Sequence, residues 1–271
     1  MLDTDMIDYN VSSRIISLTT DFGLSGHYVG VMKGVIASMD ATLRVIDICH
    51  EIPAYSVAEG AFVIAQSCRF FPAGTVHVVV VDPGVGTSRR AIVVESGGHY
   101  FVAPDNGVLS QVYEQGPLQP HVIDVERHAL QPMSRTFHGR DVFAPVAARL
   151  AAGRPIGEFG EPAGTCVQLP STIPEETVTG RWLGRILTID PFGNIVTSFR
   201  EKLLPPSGTS FLLLTGKLEV STRAEAYGEA ELGAAFAIVG SSGYIEVSAA
   251  RQSAAKLAEV KVGDPVELIL L

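Results

Sequence analysis

The stretch VVVVDPGVGTSRRAIVV, residues 78–94, sets an acid, a proline, two glycines and two arginines between two apolar runs. Asp82 would sit at the carboxyl end of a buried strand, with PGVGTSRR as the loop into the next one. Ligands of open α/β sheets bind outside such strand ends, which makes this a candidate site. Taken alone, the loop also reads as a glycine-rich connection with a capping acid and solvated arginines. It matches neither of two familiar phosphate loops. GVGTSR lacks the Gly-Lys-Ser/Thr ending of one and the third glycine of the other, and it leads into a strand rather than a helix. LTTDFGLSGHYVG repeats the arrangement at an earlier strand, with Asp21 just past its end; a carboxylate there can hold the two hydroxyls of a ribose or cap a helix. SRTFHGRDVFAPVAARL puts His138 and Arg140 immediately before a helix start, where polar side chains can enter the crevice of Asp82. IDPFGNIVTS offers Asp190, Phe192 and Asn194 on one turn. An aromatic face and a side-chain amide there suit an adenine ring, although a β-turn with a core Phe has the same pattern. EAYGEAELG and GSSGYIEVSAARQSAA add Tyr227, Ser241, Ser242, Tyr244 and Glu246 on a glycine-broken edge.

Such residues need a framework to position them. RIISLTT (14–20), LRVIDIC (43–49) and TVHVVVVD (75–82) read as strands, the last too apolar to be exposed on either face. HYVGVMKGVIASMD (27–40) and SVAEGAFVIAQSCRFF (56–71) have the helical period. AIVVES and HYFVAPDNG form a hairpin pair, with Asp105-Asn106-Gly107 as a tight turn. DVFAPVAARLAAG is expected to be a helix capped by Asp141 and stopped by Gly153. The alternation predicts an α/β N-terminal domain over residues 14–170, a central mostly parallel sheet with helices on both faces, after an N-terminal extension of residues 1–13. PSTIPEETVTG breaks the pattern, and residues 171–180 are expected to be a linker. The short alternating segments of 181–271, separated by Gly, Pro and Ser, predict a smaller all-β barrel or sandwich domain.

Composition narrows the function classes. The chain has 271 residues, 46% of them hydrophobic, and no apolar run near the roughly 20 residues of a membrane helix. A net charge of −9 argues against a partner as anionic as nucleic acid and tolerates a cationic ligand. Cys49, Cys68 and Cys166 are odd in number and widely spaced, which suits reduced thiols better than disulfides or a zinc site. The acidic opening MLDTDMIDYNVSSR lacks the pattern of a secretory signal, so the expected address is cytoplasmic, with no metal and no membrane partner.

In their order along the chain, LTTDFG, DICHEIP, FFPAGTVHVVVVDPGVGT, APDNG, FHGRDVFAPVAA, IDPFGN and GSSGYIEVS resemble the motifs of the S-adenosylmethionine hydroxide adenosyltransferase family, relatives of the chlorinating and fluorinating enzymes. The resemblance runs from about Ile15 to the C-terminus. It implies an N-terminal α/β domain joined to a β-barrel, and homotrimers that bind S-adenosylmethionine between one subunit's N-domain and its neighbour's C-domain. The implied reaction is hydrolysis to adenosine and methionine by attack of water on the ribose C5′, without a cofactor. Asp82, Arg89 and His138 match the hydrolytic set, whereas the halogenating relatives carry Tyr at the position of Asp82. Asp21 matches the ribose-binding acid and Tyr55 an aromatic packed on the sugar. Phe192 and Tyr227 match the adenine-flanking aromatics and Asn194 an adenine-edge contact. Asp190, Ser241 and Ser242 correspond to the methionine end, and Glu246 and Ala249 belong to the same C-terminal motif. Two alternatives stay open: a halogenase forming 5′-halo-5′-deoxyadenosine, and a non-catalytic sensor of adenosine or S-adenosylmethionine. The mechanism calls for a dry, aromatic-walled pocket.

Overall fold

The computed structural model describes residues 13–114, 116–206 and 208–271. The expected N-terminal extension, residues 1–13, lies outside the described residues except for Ser13. The chain divides into two compact units, Met1–Leu169 and Pro170–Leu271.

The first unit is built on six strands, β1 (Ile15–Thr20), β2 (Arg44–Cys49), β3 (Val76–Val80), β4 (Ala91–Ser96), β5 (His99–Pro104) and β6 (Leu118–Val122), in the order β2-β1-β3-β5-β4-β6. Strands β2, β1, β3 and β5 run parallel, while β4 is antiparallel to both β5 and β6. The sheet is therefore mixed: three of its five pairings are parallel and two, both made by β4, are antiparallel. The reversal comes from the β4–β5 hairpin, whose turn is Gly97-Gly98 and not Asp105-Asn106-Gly107. Both glycines have positive φ, +57° and +78°, the conformation that a two-residue hairpin connection demands. Asn106 instead follows β5 and donates from Nδ2 to the carbonyl of Val81 at 2.8 Å.

Helices α1 (Tyr28–Met39), α2 (Val57–Ser67), α3 (Ser110–Tyr113), α4 (Val125–His128) and α5 (Ala144–Ala151) complete the unit. Successive side chains of a strand point to opposite faces, so a strand covered on both sides must be apolar throughout. Strand β3 comes close to that condition, its buried His77 being the one polar side chain: Val76, Val78 and Val80 join the core of α1 and α5, while Val79 and, just past the strand, Val81 join that of α2. Asp141, expected as a helix cap, is buried inside a π-helical turn, Gly139–Phe143, that runs straight into α5. A continuous helix leaves no free end there to cap, and its carboxylate accepts from Ser134 N at 2.7 Å and pairs with Arg140. Along the outer side of β6, Val122 N donates to Glu161 O at 2.9 Å and Ala163 N to Pro120 O at 2.8 Å.

The second unit contains β7 (Glu175–Val178), β8 (Arg181–Ile189), β9 (Ile195–Arg200), β10 (Phe211–Thr215), β11 (Leu218–Val220), β12 (Ala235–Val239), β13 (Tyr244–Ala249), the helix α6 (Ala254–Ala258) and β14 (Pro265–Leu270). The strand order β11-β10-β14-β8-β9-β13-β12 is antiparallel at each pairing, and the end strands β11 and β12 approach one another, so the sheet nearly closes like a barrel. Ile186, Phe199, Leu213, Ile245 and Leu268 fill its interior. The segment expected to be a linker is not free of structure, because β7 pairs antiparallel with β8. Among the described residues no helix is long and apolar enough to cross a membrane.

Candidate active site

Asp82 lies two residues beyond β3, and Arg89 lies two residues before β4 at the end of the same loop. Gly86 lets that loop pass hard against residues 134–138: its φ is +76°, and a Cβ there would sit 2.3 Å from the carbonyl oxygen of Arg135. Arg89 is thereby placed between two expected partners. Its Nε donates to both oxygens of Asp82, each at 3.0 Å, and its Nη2 lies 2.8 Å from His138 Nδ1. The side chains of Asp82 and Arg89 are only 5% and 10% exposed, so little water screens the pair. Arginine has donors alone, which makes Nδ1 of His138 the acceptor and puts the proton of the neutral ring on Nε2. Burial, and after it the charge of Arg89, holds the His138 pKa below the usual histidine value.

Asp82 and His138 line a cavity of about 310 Å³ together with Asp21 and Tyr55. Asp21 Oδ2 accepts from Tyr55 N at 2.9 Å, which ties the ends of two strand-following loops together. Arg140 does not join them; it pairs with Asp141 and rests over Phe137. The same cavity has three walls that the sequence pattern left unassigned, Phe22, Tyr28 and Phe137. Their rings lie 5.0–5.9 Å apart, tilted or edge to face. The signal for two of them was adjacency, since Phe22 follows Asp21 and Phe137 precedes His138.

The second unit has a separate cavity of about 610 Å³, lined by Asp190, Phe192, Asn194, Tyr227 and Ala249, and also by residues 250–253, which were not expected there. Asp190 is occupied in building its turn: it accepts from Phe192 N at 2.9 Å, and from Asn194 N and Nδ2 at 2.8 Å each. That turn leaves the Phe192 ring 79% exposed and the Asn194 carbonyl oxygen as the free end of its amide. Tyr227 Oη donates to Glu246 Oε2 at 2.7 Å, so Glu246 stands behind the ring and outside the cavity lining. Burial raises the Glu246 pKa above the usual carboxylate value, and the charge of Asp190 adds to the rise. Ser241 and Ser242 lie on the turn between β12 and β13 and are not among the lining residues.

Fold and cavities together define a protein of one α/β unit and one β unit, each with a pocket of small-molecule size. Residues 16–160 match the family model described as the SAM hydroxide adenosyltransferase N-terminal domain, and residues 184–267 match the corresponding C-terminal domain. An (R)-S-adenosyl-L-methionine hydrolase of Salinispora tropica is 40% identical over 254 residues, 92% of this chain and 95% of its own. A fluorinase of Actinopolyspora mzabensis is 30% identical over 227 residues, 74% of this chain and 76% of its own. The crystal structure of an uncharacterized conserved protein from Thermotoga maritima matches with a TM-score of 0.87 at 35% identity, covering 94% of this chain and 99% of that one. The chain belongs to the SAM hydroxide adenosyltransferase family.

Proposed function

We propose that this chain hydrolyses S-adenosyl-L-methionine, in the R configuration that its relatives' names specify, to adenosine and L-methionine. The observation that carries the proposal is the contact of Arg89 with both Asp82 and His138 at the wall of the cavity that also contains Asp21. Water bonds to the ribose C5′, the C5′–S bond breaks with its electron pair going to sulfur, and the water's proton passes to Asp82. Methionine departs as a neutral thioether, so no acid is needed for the leaving group, and the reaction calls for no metal or cofactor. Carboxylates are weak bases at neutral pH, so much of the rate must come from holding the water in line. Arg89 fixes the Asp82 carboxylate, and His138, with Nδ1 engaged, presents Nε2–H to orient that water. Attacking oxygen and sulfonium neutralise one another as the bond forms, which a water-poor pocket with Phe22, Tyr28 and Phe137 as walls favours.

In this reading Asp21 takes the ribose hydroxyls and Tyr55 packs on the sugar. Phe192 and Tyr227 flank the adenine, and the free carbonyl of Asn194 accepts from its exocyclic amine. Asp190 and Ala249 line that pocket, Glu246 braces Tyr227 from behind, and Ser241 and Ser242 serve the methionine end. Substrate is shared between the first unit of one copy and the second unit of its neighbour in a homotrimer. Three unpaired thiols suit a reducing, cytoplasmic setting.

Halide in place of water is disfavoured, because the Asp82 carboxylate repels an incoming anion. Chromatography after incubation with labelled S-adenosylmethionine tests the reading. Adenosine is the expected product. 5′-Halo-5′-deoxyadenosine in high halide would make the protein a halogenase, and intact substrate would make it a binding protein. In the same assay Asp82→Asn is expected to keep adenosine affinity and lose roughly 10²–10⁴-fold in kcat; parental turnover would remove Asp82 from its role as base.

A further inference from the structure

Strand β2 carries one extra residue near its end. Leu18 pairs with Asp47, and the next residue of β1, Thr19, already pairs with Cys49, so Ile48 is bulged out of register. In a regular strand residues 47 and 50 point to opposite faces. The bulge returns them to one face, that of Leu18 and Thr20. The outcome is a connected row of side chains. His50, 4% exposed, has its Nδ1 2.9 Å from Thr20 Oγ1. Its Nε2 lies 3.0 Å from Asp47 Oδ1, an ion-pair contact and not an aligned hydrogen bond. Lys33 Nζ of α1 anchors Asp47 in turn at 2.6 Å. A carboxylate facing Nε2 favours the tautomer with its proton there, which leaves Nδ1 to accept from the Thr20 hydroxyl. Thr20 Oγ1 also accepts from Phe22 N at 3.3 Å, and the backbone carbonyl of His50 accepts from Gly23 N at 2.7 Å.

One residue therefore grips both ends of the turn 20–23. Between the grips sit Asp21 and Phe22, which line the cavity, whereas His50 does not line it and can touch no ligand there. We propose that His50 is a positioning residue for nucleoside recognition, holding the turn that aims Asp21 at the ribose hydroxyls. The proposal rests on the hydrolase reading for the identity of its ligand, and it is independent of the chemistry at Asp82.

The test measures adenosine affinity by calorimetry beside steady-state hydrolysis, on the full chain. His50→Gln keeps an amide near Asp47 and withdraws the group that faces Thr20. Thr20→Val keeps the shape of a buried β-branched side chain and removes the hydroxyl. His50→Asn retains a polar atom at the Nδ1 position. His50→Gln and Thr20→Val are each expected to raise the adenosine Kd and the KM about tenfold, the worth of one well-placed hydrogen bond. The kcat should change less than about twofold, and His50→Asn should recover most of the affinity. Thermal melts establish that each variant is folded, and Thr20→Val decides the matter if His50→Gln is not. Parental adenosine affinity in folded variants, or a loss of kcat at unchanged KM, would overturn the proposal. A parent chain that binds adenosine but leaves S-adenosylmethionine intact would refute the hydrolase reading alone, since the adenosine affinities would still decide the role of His50.

Discussion

His138 must be neutral to accept from Arg89, because a protonated ring would set two cations 2.8 Å apart. Burial and the Arg89 charge both lower its pKa, so the contact survives to a pH below the ordinary histidine value of about 6.5. The acid limb of kcat is therefore expected below that value, and a pH profile whose activity already halves at or above 6.5 would contradict the geometry. At this scale the motifs made much of the candidate site legible. Asp82 and His138 stand in glycine-containing loops that mark them in the residues themselves, whereas Arg89 was singled out only by the family motif. Direction was not legible. Glu246 and Asp190 sit in promising motifs, yet one is spent holding Tyr227 and the other holding its own turn. Which way a polar side chain donates depends on neighbours that sequence spacing does not encode.

Strand β3 carries a further buried imidazole. His77 is fully buried, with Nδ1 2.6 Å from Ser17 Oγ of β1 and its ring stacked on Phe101. Burial, with a smaller contribution from His99, pushes its pKa down to about 3. Between pH 6.5 and 3 the unfolded chain takes up a proton that the folded one refuses, so stability falls as pH falls. One such group costs about 2 kcal/mol between pH 6.5 and 5. Denaturant unfolding at those two pH values should show a smaller loss in His77→Asn than in the parent; equal slopes would mean that His77 titrates normally. The elements themselves divide by how much of their identity is local. Strands β1, β2 and β3 and helices α1 and α2 lie within a few residues of their expected bounds, because each has an apolar period of its own. Strands β6, LQPHV, and β7, EETV, have none, and only pairing with β4 and β8 makes them strands.

At the scale of the whole molecule, the proposed sharing of substrate between copies has a direct consequence. Asp82→Asn disables the first unit and Phe192→Ala weakens the second, so in mixed trimers some sites combine two intact halves. Co-expression of the two variants is expected to give more activity than the sum of the variants made separately, in particles sedimenting at three times the 28.8 kDa chain mass. Activity no greater than the sum of the separate variants would place each site within one copy. The change of composition near residue 170 made the two-unit division legible.

The flank of the first sheet has its own chemical logic. Strand β6 contains Pro120, and residues 161–163, which cover it, contain Pro162 bridged to His121. A proline ring offers no amide hydrogen to a newcomer, so the ladder runs out of donors where it meets solvent. Crowded chains would find a poor template on that side, since the covering segment already takes up the β6 backbone groups and its proline withholds a donor, which disfavours stacking into fibres there.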